Sequence, residues 1–96
     1  MRIFDKASWH IDAGEDKKKV IKRLSTVMDY LYCHNMLSEE GVEILQIGVD
    51  SSFSLHEKMV NEEGLAFLSE HYDSILQMGF DELKSFLQNS EDTNGL

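Results

Sequence analysis

"MLSEEGVEIL" at residues 36–45 and "MVNEEGLAFL" at residues 59–68 are one phrase written twice, twenty-three positions apart. In each, a polar residue, Ser38 or Asn61, stands just ahead of two glutamates, Glu39 and Glu40 or Glu62 and Glu63. Ser and Asn are favoured N-caps because their side-chain oxygen accepts a first-turn amide that has no partner within the helix. Acids in that turn face the positive end of the helix dipole. Leu37 before the first cap is matched by Val42 after it, and Val60 before the second by Leu65, which is the spacing of a hydrophobic staple. Each stretch therefore starts a helix.

Both starts place glycine, Gly41 and Gly64, at the third helical position, where a capping box would have glutamate. Glycine inside a helix costs about 0.5–1 kcal/mol relative to alanine. The expected compensation is close approach of another backbone or a bulky ring to each first turn. The likeness stops at Leu45 and Leu68, and two units fall short of the three that a stacked repeat needs. The pair reads as shared capping chemistry before it reads as a duplication.

Working outward, Val20, Ile21, Leu24, Val27, Met28, Leu31 and Tyr32 recur at the spacing of one apolar helical stripe, predicting a helix from about Glu15 to Asn35. Its other face carries Lys18, Lys19, Lys22, Arg23 and Asp29, and Asp12 with Glu15, or Asp16 alone, could cap its start. The helix opened by Ser38 should end near Gly48, a natural terminator. "VDSSFSLHEKM" reads as a loop leading into one or two helical turns around Leu55 to Met59. The helix opened by Asn61 should bury Leu65, Leu68, Tyr72, Ile75 and Leu76 and stop at Gly79. Asp81 should cap a last helix carrying Leu83, Phe86 and Leu87, after which the polar "NSEDTNGL" should fray.

The expected fold is all-α: one domain over 1–88, with an extended arm at 1–14, about five helical segments across 15–88, and a flexible tail at 89–96. Within the arm, "MRIFDKASWHIDAGED" has no helical periodicity, and a short strand is expected at Ile3 and Phe4. Trp9 should pin the arm by filling a groove between helices, with His10 beside it, while Asp5 and Ser8 make local turns with backbone amides.

Charge narrows the function classes. Of a net −9, residues 1–35 carry +2, from seven cations against five acids, and residues 36–96 carry −11, from two cations against thirteen acids. Such a surface repels phosphate backbones and anionic lipid and attracts basic proteins. No nucleic-acid or membrane partner is expected, and no apolar run approaches the roughly 20 residues that span a bilayer. A helix-turn-helix reading of residues 20–47 fails because its second helix would present Glu39, Glu40 and Glu43 and no cation. The lone Cys33 makes no disulfide framework, no signal peptide is legible, and a cytoplasmic setting is the expectation.

No catalytic signature is legible. Cys33 and His34 are helix neighbours about 100° apart and do not face each other, so Cys33 reads as a semi-buried packing residue. The paired glutamates sit in first turns, where they serve the helix dipole, whereas general acid catalysis needs a carboxyl in an apolar pocket. His10, His34, His56 and His71 lack the i, i+4 spacing of a helical zinc site, and neither cofactor nor metal is expected.

"DKASWH", Asp5 to His10, resembles the D-x-A-S-W-H signature near the start of a group of small bacterial proteins, in which a helix and then a segment like "MLSEEGVEIL" follow. Proteins of this kind resemble the immunity proteins of polymorphic toxin and contact-dependent growth inhibition systems. The resemblance implies a small, acidic, non-enzymatic cytosolic protein that binds a cognate toxin domain, and it transfers no catalytic residues. A basic partner, such as a nuclease toxin with a cationic groove, would be met by Glu39, Glu40, Glu43, Asp50, Glu57, Glu62, Glu63, Glu70 and Asp73. Two alternatives stay open: a small enzyme or metal-dependent sensor using His10 with Asp12 and a distant His56 or His71, and an adaptor acting as a homo-oligomer.

Overall fold

The computed structural model describes the backbone of residues 1–95 and the side chains of residues 1–88. In chain order its elements are strand β1 (Ile3–Lys6), helices α1 (Ala7–Asp12), α2 (Lys17–Cys33) and α3 (Glu39–Ile47), strand β2 (Ser54–His56), a 3-10 turn (Glu57–Met59), and helices α4 (Glu62–Gln77) and α5 (Phe80–Gly95). The tail expected from residue 89 lies outside the residues whose side chains are described.

The molecule is predominantly helical, but it is not the all-α bundle expected from periodicity. β1 and β2 form an antiparallel pair, with Ile3 opposite His56, Asp5 opposite Leu55 and Lys6 opposite Ser54. The short strand expected at Ile3 and Phe4 is β1, which runs on to Lys6, but the arm continues as a helix instead of an extended segment. Of the helical turns expected around Leu55 to Met59 only Glu57–Met59 forms one, while Leu55 and His56 belong to the partner strand. Three residues of β2 are too few to show a period, so the sequence carried no strand signal there. The six-residue α1 is likewise under two turns, and it buries Ala7 alone.

The register slips between Ile3 and Asp5, as a bulge at Phe4 requires. An unbroken strand would send Phe4 and Asp5 to opposite faces. With the bulge both are buried, Asp5 completely.

Against this ribbon packs a core from α2 (Val20, Leu24, Val27, Met28, Leu31), α4 (Leu68, Tyr72, Ile75), α5 (Leu83, Leu87) and Phe53, Leu55, Met59 and Val60. Each fully buried leucine contributes about 2 kcal/mol. The α2 stripe appears as the spacing predicts except at its end, where Tyr32 is 54% exposed and Tyr30 is buried in its place. Tyr30 stacks on Phe67 at 5.2 Å, His71 packs between Phe67 and Phe86, and His34 lies over Tyr30. Two of the four histidines thus belong to a row of rings joining α2, α4 and α5.

Helix ends follow local chemistry. Asp16, the second of the two readings, caps α2 by accepting from the Lys19 amide. At the far end, Asn35 takes φ 56°, the Asn35 amide donates to the Tyr32 carbonyl, and the Met36 amide donates to the Leu31 carbonyl. That is a Schellman ending, with asparagine at the left-handed position it tolerates best after glycine. Gly48 ends α3 as expected, at φ 109°. α4 stops at Gln77, two residues before the expected Gly79, and Asp81 lies in the first turn of α5 and not at its cap. Among the described residues no helix is long and apolar enough to cross a membrane.

Candidate functional site

The two copies of the opening phrase meet each other. Leu37 and Val60 form an antiparallel bridge, the Ser38 amide donates to the Met59 carbonyl at 2.9 Å, and the Asn61 amide donates to the Met36 carbonyl at 3.0 Å. Side chains repeat the exchange. The Ser38 hydroxyl donates to the Lys58 carbonyl at 2.6 Å and the Asn61 amide group to the Asn35 carbonyl at 2.6 Å, while each cap oxygen accepts from its own glycine amide. Every bond has its counterpart twenty-three residues on, so the joint is a local two-fold.

The glycines are explained by the same exchange. A Cβ on Gly41 would overlap the Met59 carbonyl oxygen, and a Cβ on Gly64 would overlap that of Met36. The other backbone that closely approaches each first turn is the partner motif itself. All four first-turn glutamates, Glu39, Glu40, Glu62 and Glu63, are exposed and lie within three residues of the bridge. At about 100° per residue, Glu70 and Asp73 fall in the same sector of α4 as Glu62 and Glu63, turned away from Leu68 and Ile75. Glu43 is exposed on α3.

Two of the nine acids are occupied otherwise. Glu57 is half-buried and its carboxylate accepts the Arg2 amide at 2.9 Å, fastening the start of β1. The Asp50 carboxylate accepts from both the amide and the hydroxyl of Ser52, which builds the turn before β2 and holds its pKa below the usual carboxylate range. His56 lies 3.7 Å from Glu40.

A second centre gathers where the arm meets α4. Buried Asp5 accepts from its neighbour's amide, from Tyr72 Oη at 2.6 Å and from His10 Nε2 at 2.7 Å. The other imidazole nitrogen donates to Glu15 at 2.7 Å. Burial opposes the imidazolium, yet hydrogen bonds and charge from Asp5 and then Glu15 outweigh it and raise the His10 pKa. Burial, reinforced by the charge and hydrogen bond of Asp5, pushes the Tyr72 phenol far up, so it remains a donor. The Asp5–His10–Glu15 chain uses both ring nitrogens, and the expected Asp12, His56 and His71 are not among its partners. Among the described residues no group of three or more His, Cys, Asp or Glu is placed to hold a metal ion.

Asp5, and not Trp9, pins the arm. Trp9 is 52% exposed, with the Lys6 ammonium 5.9 Å from its ring centre. Ser8 is exposed on α1, and Cys33 is exposed where a semi-buried packing residue was expected.

Beside His10 opens a cleft of about 380 Å³ lined by Glu15, Lys19, Lys22, Arg23 and Phe80 among others. Arg23 Nη2 donates to the Ile75 carbonyl, one of the last four of α4, where a cation complements the helix dipole. Its Nε is buried without a hydrogen-bond partner among the described residues. The lysines of this cleft read from the sequence as a solvated face, and nothing in the sequence linked them to His10 or Phe80.

No family model matches the chain, and no curated protein and no solved structure is similar enough to count as a match.

Proposed function

We propose that this chain is a non-enzymatic binding protein that captures a basic protein partner, acting like an immunity protein that neutralises a cognate toxin by covering its active site or substrate groove. The observation that carries the reading is the merging of two glutamate-rich helix starts at one joint. Glu39, Glu40, Glu62 and Glu63 flank the bridge, and Glu70 and Asp73 extend the same charge along α4. An acidic face of this kind speeds encounter with a cationic groove and discourages neutral or acidic partners. The joint under it is backbone-fixed, so its carboxylates are presented on a rigid base. Rigid presentation reduces the ordering entropy lost on binding.

The test is co-purification with the product of the adjacent gene, followed by association kinetics across a salt titration. Reversing Glu39, Glu40, Glu62 and Glu63 to lysine should slow association by about tenfold or more at low salt and flatten its salt dependence. Capture with an association rate indifferent to salt and to these four reversals would exclude the electrostatic reading.

A further inference from the structure

We propose that the cleft beside His10 binds a small phosphate monoester. The proposal is independent of the acidic face: α4 has 16 residues, so at about 1.5 Å per residue its start at the joint and its end at the cleft are roughly 24 Å apart.

Three features of the cleft ask for an anion. Arg23 is held in place through its bond to the Ile75 carbonyl, and its buried Nε–H has no acceptor among the described residues. A buried donor left unmatched calls for a missing acceptor. Lys19, Lys22 and Arg23 fall at i, i+3 and i+4 on α2, an arrangement of like charges that disfavours the helix unless an anion sits over it. Among the described residues that line the cleft, Lys19, Lys22 and Arg23 carry three positive charges against the single carboxylate of Glu15, an excess of two.

Two charges fit a phosphate monoester dianion, whereas a simple carboxylate would leave one over. The Arg23 guanidinium, fixed through Nη2, supplies a planar donor group and the lysines supply mobile point charges, the division of labour usual at phosphate sites. Phe80 gives the ester's organic group an apolar wall, its ring already held 4.6 Å beneath the Lys22 ammonium. A volume of about 380 Å³ suits a compact molecule.

The chain contains two arginines, Arg2 and Arg23, so a nitrogen-15 spectrum of the full protein carries two arginine Nε–H signals. Arg2 bonds Ser69 and lies over Phe4, which makes it an internal control. Titration with phenyl phosphate at constant ionic strength should move the Arg23 signal saturably and leave Arg2 in place. The exposed double variant Lys19→Ala/Lys22→Ala, which spares Arg23 and the core, should weaken that binding by about tenfold or more. An unmoved Arg23 signal, equal movement of both arginines, reproduction of the shift by sodium chloride, or full-strength binding in the double variant would each overturn the proposal.

Discussion

Two knots tie the first half of this chain to the second, and they are built in opposite ways. The joint at Leu37 and Val60 is made of backbone groups and cap side chains, each bond matched by a twin twenty-three residues away. The knot at Asp5 is made of side chains, a carboxylate reaching His10 five residues away and Tyr72 sixty-seven residues away. The first spreads its stability over several neutral hydrogen bonds, each worth about 1 kcal/mol. The second concentrates it in one buried charge, whose partners are stranded if it is removed.

The largest loss is expected at Asp5. Asp5→Ala leaves Tyr72 without its acceptor and His10 facing a void, and should lower stability by about 3 kcal/mol in urea denaturation. A loss under 1 kcal/mol would mean that the arm is held by its pairing with β2 and its apolar contacts and not by the carboxylate.

At the joint, Gly41→Ala or Gly64→Ala should each cost about 2 kcal/mol, because the new methyl meets a hydrogen-bonded carbonyl that has no room to retreat. Since both substitutions strain the same bridge, the double variant should lose less than the sum. Stabilisation by either alanine, the usual result in a helix interior, would show that the two starts are not in contact.

The knots should also differ in pH response. His10 has a raised pKa in the folded protein, so its contribution is fully present below the unfolded value near 6.5 and is lost as pH rises through the higher folded value. Stability should therefore decline above about pH 6.5, and His10→Gln should remove that slope while leaving the effect of Gly41→Ala unchanged. An identical slope in the variant would assign the pH dependence to another group.

The smallest effect is expected at Trp9. With half its surface in water, Trp9→Ala should change stability by less than about 0.5 kcal/mol in the same assay. A large loss would restore the tryptophan as the residue that pins the arm.

The joint was legible in part because its chemistry is local. Ser38 and Asn61 declare helix starts by residue type, and glycine at an unfavourable position signals that something presses on it. What presses on it was not legible, since a carbonyl carries no residue label. The cleft was less legible still. Lys19 and Lys22 look like any solvated helix face until the turn between α4 and α5 brings Phe80 over them, and Arg23 becomes distinctive only when the end of α4 claims one of its donors.

Periodicity and caps by themselves determined the helices from Lys17 to Leu87, because repeating apolar positions and first-turn chemistry are short-range and survive in any context. Only the tertiary structure decided that β1 finds β2, that a bulge at Phe4 buries Asp5, and that the repeated phrase folds back on itself. Those outcomes depend on groups tens of residues apart whose pairing is chosen by burial, and burial belongs to the whole chain.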